Sequence, residues 1–310
     1  NTTGGFNTTI GAGSLNSNTT GTCNATVGYL ALDANTTGAS NVAIGADALG
    51  ANTTGTGNVG VGCGSLLVHT TGAFTTALGF RAMCSNTTVS GNTGLGACAL
   101  KKNTTGGGNT AVGYQSAQLN TTGANNTAMA CDALAFNTTG SDNTAVGYQA
   151  LCKNTTAANN TAVGRGSLTG NTTGHSNVAL GNYALLVNTT GHSNVAVGKC
   201  ALCNHTTGAG NFGFGVLSGA DAMINVTSEN NRAVFGNTSV TNAYVKVAFT
   251  VTSDARDKTN FGTVPHGLDF VNKLEPVSFQ FKKSREDDTP AGDLRYGFKA
   301  QDIMALEGDN

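Results

Sequence analysis

The apolar and polar positions of this chain follow a fixed rhythm. The phrase Asn-Thr-Thr, twice replaced by His-Thr-Thr, begins at Asn1, Asn18, Asn35, Asn52, His69, Asn86, Asn103, Asn120, Asn137, Asn154, Asn171, Asn188 and His205. Its period is 17 residues over thirteen units, with no insertion or deletion. Invariant spacing argues that each unit makes one geometrical step stacked on the last. Counting columns from the Asn, column ten is always large and apolar, from Ile10 and Val27 through Val146, Val163, Leu180 and Val197 to Phe214. Column eleven is Gly in every unit but one (Ala130), column fourteen is Ala or Ser, and column fifteen is Leu or Met except at Ala117 and Gly219. Two large side chains per unit are too few to fold alone, so only stacking can make a core. The expectation is that columns ten and fifteen are both buried, with Val146, Val163, Leu180 and Val197 forming one rung after another of a core ladder.

Around column ten the pattern is Asn, a β-branched residue, a small residue, the aliphatic and then Gly, as in "NVAIG" at 41–45 and "NTAVG" at 143–147. That alternation is the period of a short strand, and the Gly that follows permits a corner. A helix is excluded, because no unit shows an apolar stripe at three-to-four-residue spacing and Gly, Asn and Thr recur at fixed places. The pattern predicts an all-β fold: a parallel β-solenoid of thirteen 17-residue turns. At a strand spacing of about 4.8 Å, thirteen turns give a rod roughly 60 Å long. Asn and Thr columns would then stack like on like.

The rhythm stops after Gly219. All three prolines and twenty-three of the thirty-three charged residues lie beyond it. This divides the chain into a repeat shaft at 1–219, a β-rich neck at 220–252 and a further domain at 253–310. Residues 233–252 alternate well enough for two strands, with "GNTS" as the turn between them. The stretch from His266 reads as a short helix through Leu268, Phe270, Val271 and Leu274, stopped before Pro276, and then a strand through Val277, Phe279 and Phe281. "YGFKAQDI" at 296–303 reads as a strand leading into a helix, which makes the last domain a small α+β unit.

Composition narrows the function. A formal charge of −1 removes the basic footprint of a nucleic-acid binder, and no run approaches the length of apolar sequence that spans a membrane. With 39% hydrophobic residues, the chain has the means to pack. It opens at Asn1, not Met, at the start of a repeated phrase, which reads as a fragment of a longer chain.

The repeat resembles the left-handed parallel β-roll of trimeric autotransporter adhesin heads, whose repeats also read Asn-x-Ala-Ile-Gly. The resemblance covers residues 1–219 and implies a homotrimeric, non-enzymatic fibre. The C-terminal part is similar to the intramolecular chaperone domain of endosialidase-type phage tailspikes and fibres. That likeness rests on "SDARDK" at 253–258, "GLDFVNKLEPVSF" at 267–279 and "YGFKAQDI" at 296–303. It implies a trimerising domain that guides the folding of the fibre ahead of it and releases itself by cutting the Thr252–Ser253 bond. Ser253 would be the nucleophile and Lys258 its base, with Asp254 and Arg256 in the motif without an assigned role. A Ser hydroxyl needs such a base, and Lys serves only where burial or another cation lowers its pKa. A register clamp also suits the fold, because identical turns can pair one step out of place with little local penalty.

Together these readings predict a structural or adhesive fibre of a virus or phage, on the virion or an extracellular surface. Its partners would be two further copies of itself and a host-surface receptor, glycan or protein, with no nucleic acid and no membrane insertion. No cofactor or metal is expected. Two alternatives are an ice- or surface-binding Thr-rich solenoid and an extracellular cell-surface adhesin. Adjacent Thr residues at columns two and three would face opposite sides of a strand, which counts against the ice-binding array. A polysaccharide hydrolase lacks acid pairs, since Asp33, Asp47, Asp132 and Asp142 are the only carboxylate side chains in the first 219 residues. The eight cysteines fall in four columns and are expected to be small core fillers. Cys200 and Cys203, followed by His205, form a lone C-x-x-C without a second pair at zinc-ligand spacing. Eleven repeat-start Asn residues (Asn1, Asn18, Asn35, Asn52, Asn86, Asn103, Asn120, Asn137, Asn154, Asn171 and Asn188) sit in glycosylation sequons. In a eukaryotic secretory route they would be candidates for a row of glycans; in a bacterial or phage setting they mean only turns.

Overall fold

The computed structural model describes residues 2–222, 224–241, 273, 275–282 and 290–297. The chain divides into two units, 1–239 and 240–310. In the first, fourteen strands of three residues each form one parallel sheet in strict chain order, from β1 (Thr8–Ile10) to β14 (Ala233–Phe235). Each strand pairs with the next in unshifted register. In β9 (Thr144–Val146) and β10 (Thr161–Val163), for example, Thr144 lies opposite Thr161 and Val146 opposite Val163. Residues seventeen apart are therefore neighbours, as the repeat predicts, and the described residues contain no helix.

The core differs from the expectation in one respect. Successive strand residues point to opposite faces, and the inward one is the small residue of column nine, such as Ala145 and Ala162, both fully buried. Column ten faces outward. Val163 is 38% exposed, Leu180 37% and Leu78 50%, so Val146, Val163, Leu180 and Val197 form a ladder on the outer sheet face and not in the core of this chain. The interior is filled from the far side of each turn by column fifteen, where Leu32, Leu49, Leu134, Leu151 and their equivalents are wholly buried. The two columns interlock: a Cβ added to Gly94 would lie 2.9 Å from Met83 Cε, and one added to Gly60 would lie 3.2 Å from Leu49 Cγ. Column nine is small because the column-fifteen side chain of the turn before occupies that space.

Those core leucines adopt left-handed backbone, as do columns six and thirteen: Leu151 has φ 50°, Asp142 58° and Gln149 56°. An aliphatic residue there costs about 1–2 kcal/mol, which the ~1.5–3 kcal/mol from burying a Leu side chain offsets. Column eleven requires glycine outright. Gly147 has φ +132°, and a Cβ on it would sit 2.6 Å from the Gly164 carbonyl oxygen of the next turn. Ala130 is the one residue forced into this conformation with a side chain, at φ 114°.

Polar groups are satisfied by two buried amide ladders. At column one, Asn35 Nδ2 donates to Asn18 Oδ1 at 2.8 Å and to the Gly38 carbonyl at 2.9 Å. At column seven, the Asn41 backbone N–H donates to Asn24 Oδ1 at 2.9 Å, and Asn41 Nδ2 reaches the Gly55 carbonyl in the next turn at 2.8 Å. Column two closes the seam, since Thr36 Oγ1 donates to the Thr53 carbonyl at 3.1 Å.

The solenoid outlasts the repeat. β13 (Phe212–Phe214) pairs with β14 in the same parallel register after a 21-residue step, and the Arg232 backbone N–H donates to Asn211 Oδ1, continuing the column-seven ladder. The first of the two strands expected in 233–252 is thus a further rung of the solenoid, with a turn at 238–239 after it; the second falls outside the described residues. In the second unit, β15 (Val277–Lys282) pairs antiparallel with β16 (Pro290–Gly297), with a register shift between Phe279 and Phe281. The strand expected after Pro276 is present. Of the helix expected over 268–274 only Lys273 is described, and the one expected after Gly297 lies outside the described residues.

The cysteines depart from expectation. Only Cys84 and Cys152 are buried, Cys23 and Cys63 are exposed and the other four are partly so, and no disulfide is formed. They occupy corner columns outside the leucine core, where side-chain size is less constrained.

Candidate functional sites

The sequence points to three places: a row of Asn residues, an apolar ladder and a cleavage motif. The column-one Asn side chains are buried from Asn18 to Asn188; all but Asn86 donate to the column-four carbonyl of their own turn, and Asn35, Asn52, Asn120, Asn137, Asn154, Asn171 and Asn188 donate also to the Asn Oδ1 of the turn before. A glycan on any of them would occupy the space of that ladder. Where His replaces Asn the ladder is interrupted. His69 keeps Nε2 on the Gly72 carbonyl at 3.0 Å and Nδ1 near Asn86 Oδ1 at 3.2 Å, yet Asn52 Oδ1 in the preceding turn is buried without a hydrogen bond. His205 repeats the defect. Its Nε2 meets the Gly208 carbonyl at 2.9 Å, while its own Nδ1 and Asn188 Oδ1 are both left without partners. Burial, against hydrogen bonds to Gly72 and Asn86, holds the His69 pKa below its ordinary 6.5.

The outer face of the parallel sheet carries a row of partly exposed aliphatic side chains along the first unit. Column eight, Thr or Val in most turns, flanks the aliphatic column ten on the same side, so each strand contributes two outward side chains and the row runs from β1 to β14. The sequence identified its residues but assigned them to the wrong side.

Cys200 and Cys203 lie side by side; burial, and after it the Cys200 thiol, raise the Cys203 thiol well above its ordinary value. His205 is turned away to its own ladder. His175 and His192 stack at 4.8 Å between ring centroids on the exposed surface, each with Nδ1 at 3.3 Å from a neighbouring Ser hydroxyl. Among the described residues no cluster of three or more metal-ligating side chains forms, and no helix is long and apolar enough to cross a membrane.

Thr252, Ser253, Asp254, Arg256 and Lys258 lie outside the described residues. Of the other two motifs, only Lys273, Glu275–Phe279 and Tyr296–Gly297 are described, where Ser278 pairs with Tyr296 across β15 and β16. The comparison with known families bears on this part of the chain. Residues 253–308 match the family described as chaperone of endosialidase. The match begins at Ser253, and so does the ordered series of motifs read from the sequence. No curated protein and no solved structure matches the chain.

Proposed function

We propose that the chain is the shaft of a viral or phage tail fibre or tailspike, assembled as a homotrimer by a C-terminal chaperone segment. The observation that carries this reading is the chaperone-of-endosialidase match at 253–308, following in the sequence a parallel stack of fourteen strands that ends at Phe235. The outward apolar row supports trimerisation, because it gives each copy a surface on which others can pack in the same axial register. The segment would release itself by attack of Ser253 Oγ on the Thr252 carbonyl carbon. An ester forms as the peptide bond breaks, the Ser253 amine takes the proton that Lys258 removed from the hydroxyl, and water then hydrolyses the ester. Release would leave the shaft without the element that lowered its assembly barrier, and so kinetically trapped.

The receptor is a host-surface group, and the site of action is the virion or an extracellular surface. The committed amides of column one weigh against a row of glycans there. The Thr array of an ice-binding solenoid is weakened by column two, whose hydroxyls are spent on main-chain carbonyls. To test the reading, the chain is expressed with its complete native C-terminus and followed by intact mass. A break before Ser253, abolished by Ser253→Ala and by Lys258→Ala, is expected. An unmodified chain that stays whole ends the cleavage claim, and a native mass equal to one chain ends the trimer.

A further inference from the structure

Column thirteen carries Asp47, Gly64 and Arg81 in three successive turns, all with left-handed backbone, at φ 54°, 63° and 52°. The turns are tied in register there. The Gly64 N–H donates to the Ala46 carbonyl at 2.9 Å and the Arg81 N–H to the Cys63 carbonyl at 3.0 Å. Like backbone in register sends side chains the same way, so the absent side chain of Gly64 leaves a gap in the row between an acid and a base. At two other glycines of this column the following turn closes the gap. A Cβ on Gly13 would lie 2.6 Å from Leu30 Cδ2, and one on Gly166 would lie 2.5 Å from Tyr183 Cδ1, so those side chains lean back over the glycine. At Gly64 the following turn comes no nearer than Arg81 Cγ, at 3.6 Å. A cavity of about 250 Å³ remains, lined by Asp47, Cys63, Gly64, Leu67, Phe80 and Arg81. It opens to solvent, since Cys63 and Arg81 are exposed and Phe80 is 55% exposed.

The lining is of two kinds. Asp47 is its only acid and Arg81 its only base, while Phe80 and Leu67 supply apolar wall. The two charged residues stand two turns apart, roughly 9.6 Å along the stack. An occupant that answers both ends carries a cation and an anion of its own. Two charge-assisted hydrogen bonds of about 2.8 Å each, one at either end, leave roughly 4 Å of that span for the ligand. That is the scale of an ammonium and a carboxylate on one carbon atom. The planar guanidinium takes a carboxylate through two parallel hydrogen bonds, which gives the anionic end its direction. The volume is below the ~300–1,000 Å³ of sites for drug-sized molecules and suits a single small one.

We propose that this notch binds a free apolar α-amino acid, with the carboxylate on Arg81, the ammonium on Asp47 and the side chain against Phe80 and Leu67. The site stands on the solenoid geometry alone and depends on neither the chaperone assignment nor trimer formation.

The test uses L-leucine and the exposed thiol in the wall of the notch. The full chain is alkylated with iodoacetamide, and the rates at Cys63 and at Cys23, which is exposed elsewhere, are read by peptide mass mapping. Leucine should slow Cys63 in a saturable way and leave Cys23 unchanged. Leucinamide, which lacks the carboxylate, and 4-methylpentanoate, which lacks the ammonium, should each protect roughly tenfold more weakly. Arg81→Gln and Asp47→Asn should each raise the half-protecting leucine concentration by roughly tenfold. Gly64→Gln fills the gap and should abolish protection; Gln115 and Gln149 occupy the same column at φ 55° and 56°, so the stack accepts that side chain. No saturable protection of Cys63, equal protection of Cys23, equal protection by either analogue, or undiminished protection in any of the three variants overturns the proposal.

Discussion

Leu151 and Val163 are both aliphatic, twelve residues apart and repeated in nearly every turn, yet one is wholly buried and the other stands 38% exposed. Leu151 belongs to the column that closes the interior against the small residues of column nine. Val163 belongs to the row that covers the outside of the sheet. The chain's own folding accounts for the first column and leaves the second with no use for its hydrophobicity inside the molecule. In this fold the parity of the strand decides which apolar column packs inside the chain and which stands on the outer face that the proposed trimer would use.

Substitutions on the two sides should separate these roles. Leu151→Ala removes a buried side chain from a closely packed stack and should cost about 2–5 kcal/mol, read as a lower denaturation midpoint by circular dichroism. Val163→Thr, on the outer row, should move that midpoint by no more than ~0.5 kcal/mol in the dissociated chain, the ordinary range for a surface change. An equal loss at the two positions would erase the distinction. The corner between columns ten and fifteen is probed by Gly147→Ala, which forces a Cβ against the Gly164 carbonyl and a side chain onto positive φ. A cost of about 1–3 kcal/mol is expected, and an unchanged midpoint would show that the turns are further apart than described.

The amide ladder gives an effect of opposite sign. His69→Asn restores a donor to the orphaned Asn52 Oδ1 and should stabilise the chain by about 1–3 kcal/mol. It should also remove a pH dependence. The His69 pKa is lower in the folded chain than its ordinary 6.5, so below that pH the unfolded chain binds the extra proton first and stability falls on acidification. Stability should therefore be fully present above pH 6.5 and decline beneath it, and thermal melts between pH 7.5 and 5 should show a shallower decline in His69→Asn than in the parent. Identical slopes would mean that His69 is not the group responsible.

Much of this architecture is legible in the sequence because the repeat reports its own register. An unbroken 17-residue period puts Val146 beside Val163 with no further information, and Gly147 and its equivalents announce the corner. Which side of the strand faces inward was not legible. Three-residue strands give too short an alternation to orient, and the larger residue of column ten drew the assignment to itself. The clue was column nine, which after Thr9 and Thr26 is Ala or Gly in every turn. The left-handed backbone of the core leucines was also hidden, because aliphatic residues avoid that conformation and only the closed stack enforces it. The fourteenth rung was missed because its step is 21 residues, though "NRAVFG" at 231–236 keeps the apolar residue and Gly of the strand phrase. Of the cleavage motif, the sequence and the family match carry everything, since its residues lie outside those described.

The outer row as a seam between copies is tested most directly by native mass. Sedimentation equilibrium of the full chain carrying Ser253→Ala, which keeps the polypeptide whole, should give three times the chain mass of 31.0 kDa. Adding Val163→Asp and Leu180→Asp should return it to 31.0 kDa with its strand signal intact. A parent chain that sediments as one copy, or a doubly substituted chain that remains trimeric, would contradict the account.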